Sequence, residues 1–375
     1  MVLPKNSAAA LDRRHLLALL GAGAIVAPSV AGATSIANSL GSLARAKGLR
    51  FGTAVGGATL NDPQIRELIV RECDIIVPEN ELKMYVTHNN NATDYNFAPA
   101  DQLLAFAEGN KIAMRGHNFV WARDEFTPKW LKAYDFGTNP KLEAERLLRD
   151  YIGKVADHYG ERLVSWDVVN ETVNPETGHI RSSVFTRILG TDALRIAYEA
   201  AREHLPKTQL VYNDYMSWES GNETHQGGVL NILKWMRDHK VPVDALGVQS
   251  HLGTGFDPSA GKVDTWQAFI DDAVGMGFDL LITEFDVNDQ RVQGTIAERD
   301  KAVAQVAKTY LDLMLSYKQV KDVLLWGIQD KYSWLQSFTP RADKLPVRPT
   351  PFDEDYRPKP LYDAIAAAFK AAPER

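Results

Sequence analysis

From Phe51 onward, short β-branched or apolar runs alternate with longer amphipathic stretches. A short apolar run bounded by turn residues reads as a buried strand, and apolar positions three and four apart read as one face of a helix. The pattern predicts strands at Phe51 to Val55, Asp74 to Val77, Lys111 to Arg115 and Leu163 to Val169. Four more are predicted at Gln209 to Tyr212, Ala245 to Gln249, Asp279 to Thr283 and Val323 to Gly327. Between them Leu142 to His158 carries Leu147, Leu148, Tyr151, Ile152 and Val155 at helical spacing, and Ala193 to His204 and Ala302 to Tyr317 show similar stripes. Strand-helix alternation repeated eight times is what a closed (β/α)8 TIM barrel of the α/β class requires. An open doubly wound sheet is the alternative, but Gly52, Gly56 and Gly57 lack the spacing of its phosphate-binding turn and read as an ordinary turn.

The chain has 375 residues, 45% of them apolar, enough for a large core, and no Pro/Gly/Ser-rich linker interrupts the alternation. One catalytic domain over residues 34–375 is therefore expected. The formal charge of −6 leaves no basic footprint, so a nucleic-acid partner is disfavoured and a neutral substrate fits. Cys73 is the single cysteine, which excludes an internal disulfide and a cysteine-rich metal site, and it reads as a small buried hydrophobe.

The first 33 residues read as an address. Arg13-Arg14 precede the apolar run Ala18 to Val30, too short for a comfortable membrane span, and Ala31-Gly32-Ala33 supplies small residues for cleavage. Paired arginines in that position resemble a twin-arginine signal. Export of the folded protein, cleavage near Ala33 and no membrane segment in the mature form are expected.

Polar residues crowd the carboxyl ends of the predicted strands, which in a barrel form the active face. Glu79, Asn80 and Lys83 follow the second strand, Arg115, His117 and Trp121 the third, and Asn170 and Glu171 end the fourth. Asn213 and Asp214, Gln249 and His251, Glu284 and Asp286, then Trp326 and Trp334 continue the series. Glu171 and Glu284 each follow an apolar run, on strands from opposing parts of the rim. Two facing carboxylates suit glycoside cleavage, one protonating the leaving oxygen while the other attacks, or activates water at, the anomeric carbon. Separations of about 5 Å give retention and of about 6.5–9.5 Å inversion, a choice the residues alone leave open. His117 and His251 have no His-x-x-x-His or similar pairing, so no metal is expected. The tryptophans on these loops suit stacking on sugar rings, and a neutral His251 suits orientation of the nucleophile.

The motifs Pro78-Glu79-Asn80-Glu81-Leu82-Lys83, Arg115-Gly116-His117 and Trp166-Asp167-Val168-Val169-Asn170-Glu171 resemble those of glycoside hydrolase family 10 endo-1,4-β-xylanases. The resemblance continues through Tyr212-Asn213-Asp214-Tyr215, Gly247 to Leu252, Ile282 to Asp286 and Trp326 to Trp334, covering nearly the whole mature chain. It implies retention through a covalent glycosyl-enzyme, with Glu171 as acid/base, Glu284 as nucleophile and no cofactor. It further implies that Asn170 binds the 2-hydroxyl of the sugar being cleaved. Glu79, Asn80, Lys83, His117 and Trp121 would bind non-reducing-side xylose units of xylan or xylo-oligosaccharides, with Trp326 and Trp334 closing that region. Gln249 and His251 would hold the nucleophile ionised and aimed, and a monomer is expected.

One stretch departs from the pattern. After Trp121 the family continues with a histidine and a nearby glutamine, whereas here Ala122-Arg123-Asp124-Glu125 leads to Phe126-Thr127-Pro128. Missing polar contacts there would relax xylose-over-glucose selectivity, and the new charges suggest a substrate bearing uronic acid. A related β-1,4-glucanase, or a non-catalytic carbohydrate-binding barrel, is the alternative reading; two intact glutamates weigh against the latter.

Overall fold

The computed structural model describes residues 38–255 and 262–375. The predicted export signal lies outside them. The strands are β1 (Arg50–Val55), β2 (Ile75–Pro78), β3 (Ala113–Met114), β4 (Gly116–Trp121) and β5 (Ser165–Asn170). They continue as β6 (Gln209–Asp214), β7 (Ala245–Val248), β8 (His251–Gly253), β9 (Asp279–Asn288) and β10 (Val320–Leu325).

All pairings between these strands are parallel, in the order β3-β2-β1-β10-β9-β7-β6-β5-β4, with β8 paired to the outer half of β9. The two ends of that order belong to one stave. Met114 and Gly116 flank Arg115, β3 pairs with β2, and β4 pairs with β5, so the sheet closes into the expected (β/α)8 barrel. The third stave therefore runs well beyond the predicted Lys111 to Arg115, because its second half carries polar residues that apolar patterning does not register.

Alternation along the staves separates two apolar layers, as a strand's two-residue period demands. Ile76, Leu280, Ile282, Leu210, Tyr212, Val323 and Leu325 join the large cluster shared with the helices. Their neighbours Ile75, Val77 and Leu324 pack with Ala54 and Trp326, and Val211 and Leu281 pack with Ala245, in two separate small clusters. On β4, Gly116 lets the chain pass Trp166 of β5, whose ring atoms would lie 2.1 Å from any added Cβ.

The helices start earlier than their apolar stripes. Pro140–Tyr159 begins with proline at its first turn, where a missing N–H is harmless. Ile296–Ser316 is capped by Thr295 and Glu298, whose side chains each accept from the other's backbone N–H. Among the described residues no helix is long and apolar enough to cross a membrane.

Candidate active site

Glu171 stands one residue past β5 with φ of 54°, in the left-handed region that a non-glycine residue enters only under constraint. The constraint is visible: its N–H is tied to Asn213 O at 2.9 Å, and Gln249 Nε2 donates to its Oε1 at 3.1 Å. Glu284 lies within β9, its N–H bonded to Gln249 O at 2.9 Å. Both side chains are buried.

An amide chain links them. Asn213 Nδ2 donates to Glu284 Oε1 and to Asn170 Oδ1, both at 2.8 Å, and Thr283 Oγ1 donates to Asn213 Oδ1 at 2.7 Å. Trp121 Nε1 lies 3.3 Å from the other end of the Asn170 amide and would favour an oxygen there. The Asn213 donor decides the orientation, because Glu284 needs that N–H and Asn213 cannot reverse. Asn170 Nδ2 then faces Glu171 Oε1 at 3.4 Å.

His251 Nε2 lies 3.2 Å from Glu284 Oε2, and its Nδ1 lies 3.1 Å from Asp286 Oδ2. Trp334 Nε1 donates to the same Asp286 oxygen at 2.8 Å. Burial alone pushes the Glu284 carboxyl up. The hydrogen bond from His251 and the electrostatic pull of His117, His251 and Lys83 outweigh it and hold Glu284 well below the usual carboxylate range. Burial likewise pushes His251 down, but Asp286 and Glu284 raise it far above an ordinary imidazole. The two carboxyls thus favour the protonated form of His251, where the sequence suggests a neutral ring. Gln249 also differs from expectation: its amide serves Glu171 and Asn170, and Asn213 takes the place beside Glu284. Asn213 and Asp286 were visible as polar strand ends, but only the barrel's closure brings them to the nucleophile.

The β2 loop supplies Glu79, Asn80 and Lys83. Lys83 Nζ is 3.4 Å from Asn80 Oδ1, which also accepts from Tyr85 at 2.6 Å. Burial lowers the Lys83 pKa against the pull of Glu284, Glu171, Glu79 and Glu81, and burial raises that of Glu79. Inside the barrel His117 Nδ1 meets Asp167 Oδ2 at 2.8 Å, and Arg115 pairs with Asp167 Oδ1. The His117 ring packs edge-on to Trp326 at 5.2 Å.

Trp121 already carries a stacked partner. Phe126 stacks on it at 3.9 Å and 6°, which covers one face, and Lys83 Nζ sits 4.4 Å from the ring centre. The departing segment is thereby folded into the site. Asp124 accepts from Val184 N–H at 3.0 Å and pairs with Arg187, while Arg123 bonds Glu125 and approaches Glu171 at 3.4 Å. Arg123 and Glu125 thus pair within the segment, while Asp124 and Arg123 also pair outward, to Arg187 and Glu171. Arg123 was not among the expected site residues; its place in the departing segment was the available signal.

Beside His251 and Asp286, a 610 Å³ cleft is also lined by Glu219, Gly253, Asn288, Trp334 and Phe338. Phe338, exposed at 68%, is a rim aromatic that strand patterning could not find. Among the described residues no group of three or more histidines, cysteines or carboxylates is placed to hold a metal.

A closed parallel barrel with two buried carboxylates at the carboxyl ends of opposed strands, one held ionised, defines a barrel glycoside hydrolase. The comparisons with known proteins agree. The family model "Glycosyl hydrolase family 10" matches residues 39–368, and the chain belongs to that family. Endo-1,4-beta-xylanase B of Thermotoga neapolitana is 30% identical over 86% of this chain and 89% of its own. Endo-1,4-beta-xylanase 3 of Hypocrea jecorina is 32% identical over 87% of this chain and 84% of its own. Native xylanase 10B from Thermotoga maritima superposes with a TM-score of 0.79 at 31% identity, covering 88% of this chain and 98% of that one. Xylanase 10B from Thermotoga petrophila, solved with xylobiose, gives 0.79 at 30% identity, covering 88% and 97%.

Proposed function

We infer that this chain is an endo-1,4-β-xylanase that cleaves internal bonds of xylan with retention, Glu284 acting as nucleophile and Glu171 as acid/base. The observation that carries the reading is the unequal environment of the two carboxyls. Glu284 is hydrogen-bonded by Asn213 and His251 and kept anionic, the state a nucleophile needs. In the first step Glu284 bonds to the anomeric carbon, the bond to the leaving sugar breaks, and the Glu171 proton passes to the leaving oxygen. In the second, water attacks that carbon and gives its proton to Glu171, while the carbon–Glu284 bond breaks and its electron pair returns to the carboxylate. Asn170, held by Asn213 and Gln249, is aimed to meet the sugar's 2-hydroxyl, a contact worth most in the oxocarbenium-like transition state.

Glu79, Asn80, Lys83 and His117 form the non-reducing side of the binding site, Trp121 contributes an edge and its N–H, and Trp326 and Trp334 close the pocket. The relatives' names, and the xylobiose bound in the Thermotoga petrophila structure, support xylo-oligosaccharide as the ligand. Residues 1–33 act as a twin-arginine-type signal, and the mature protein is an exported monomer. N-terminal sequencing of protein recovered outside the cytoplasm should begin near Thr34; an intact Met1 there would remove the export reading.

The test is sugar release by the purified protein on xylan and on soluble cellulose, with Glu284→Gln as the blank. Xylo-oligosaccharides from xylan alone, absent in the blank, are expected. Release from cellulose would keep the mechanism and overturn the substrate, and release from neither would favour a binding barrel.

A further inference from the structure

The two oxygens of Glu171 are treated differently. Oε1 is engaged by Gln249 at 3.1 Å and Asn170 at 3.4 Å, whereas Oε2 faces Arg123 at 3.4 Å. Arg123 comes from the segment that departs from the family pattern, and several contacts fix it there. Its Nε donates to Glu125 Oε1 at 2.7 Å, Asp124 ties the segment to the start of helix Val184–Leu189, and Phe126 stacks on Trp121. The Arg123 side chain is 34% exposed and that of Glu171 9%, so the contact sits at the mouth of the site.

We propose that Arg123 is a positioning residue for the acid/base: it holds Glu171 Oε2 and favours its carboxylate form, with Glu125 as the counter-charge that tempers it. The inference rests on the xylanase reading above. An adjacent cation stabilises the anion that Glu171 becomes on giving up its proton and the base it must be when water attacks. Arg123 is not alone in facing Glu171. Lys83 of the β2 loop and Tyr215 beyond β6 act on it electrostatically, Arg181 bonds Tyr215 and acts on Glu125, and Glu284 lies across the Asn213 and Asn170 amides. These groups remain in place when Arg123 or Glu125 is changed, so the two substitutions isolate the segment's own charges.

The experiment is the pH profile of kcat/KM for Arg123→Ala, Arg123→Lys and Glu125→Gln, on a xylo-oligosaccharide and on an aryl xylobioside whose leaving group needs no proton. On the oligosaccharide the alkaline limb should move up by about one pH unit in Arg123→Ala and less in Arg123→Lys, and should move down in Glu125→Gln. On the aryl substrate the limb should stay put in all three, because that first step draws no proton from Glu171. A merely structural role for the segment would shift Arg123→Ala and Glu125→Gln the same way. Shifts of the same sign, equal shifts on the two substrates, or an unmoved limb would overturn the proposal. Should Arg123→Ala fail to fold, the signs in Arg123→Lys and Glu125→Gln still decide it. Wild-type protein inactive on both substrates would instead sink the xylanase reading.

Discussion

Replacing His251 by asparagine removes the cation that holds the nucleophile ionised, and the size of the effect follows from its neighbours. His251 is 3.2 Å from Glu284 and 3.1 Å from Asp286, and both carboxyls are buried. Without the imidazolium, burial is opposed by the Asn213 hydrogen bond and the more distant Lys83 and His117, and Asp286 loses the cation that stood between it and Glu284. An opposite charge at such range lowers a carboxyl by about 1–3 units, and its loss should return roughly two of them. The sign is fixed: a carboxyl whose pKa was held down titrates at higher pH once released, so the acid limb of kcat/KM moves up. Two units correspond to ~2.7 kcal/mol of differential stabilisation of the anion. Initial rates from about pH 3 to pH 9, fitted as a bell, supply the measurement, since the acid limb belongs to the base or nucleophile that must be ionised. The shift should be the same on xylo-oligosaccharide and on an aryl xylobioside, because both need the nucleophile, unlike the Arg123 effect. An unmoved acid limb in a variant with native circular dichroism would refute this account of the His251–Glu284 pair.

Glu171→Ala should cost about 10²- to 10⁴-fold on xylan while largely sparing the first step on aryl substrates with good leaving groups, and Glu284→Ala should spare neither. Steady-state rates on both substrates check this, and equal losses for Glu171→Ala would remove its role as acid. Asn213→Ala deletes the donor shared by Glu284 and Asn170 and should cost about 1.5–3 kcal/mol of either stability or transition-state binding, separable by urea unfolding and kcat/KM. Gly116→Ala would press a methyl against Trp166, itself stacked on Phe119 at 4.0 Å, and should destabilise the fold by about 3 kcal/mol in denaturant titration. A midpoint unchanged from wild type would show that the third stave can shift sideways.

The alternation of strands and helices, hence the barrel, and the polar residues at the strand ends, hence Glu171 and Glu284 as a candidate pair, are written in the order of residues alone. Both are local signals. An apolar run needs burial wherever it lies, and a carboxylate straight after such a run has few uses besides chemistry or an ion pair. Element ends are less legible where the signal is capping or polarity: Thr295 with Glu298 starts a helix before its apolar stripe, and Gly116, His117 and Asn118 interrupt the apolar run of the third stave beyond Arg115. Which strand ends meet depends on the closed fold. It placed the Gln249 amide on Glu171, put Asn213 beside Glu284, and set His251 between two carboxylates that favour its protonated form. It also turned Phe126 onto Trp121 and brought Arg123 to the acid/base. The physical reason is that hydrogen bonds and charge interactions act over a few ångströms, and residues 33 to 78 positions apart reach that range only when the barrel closes.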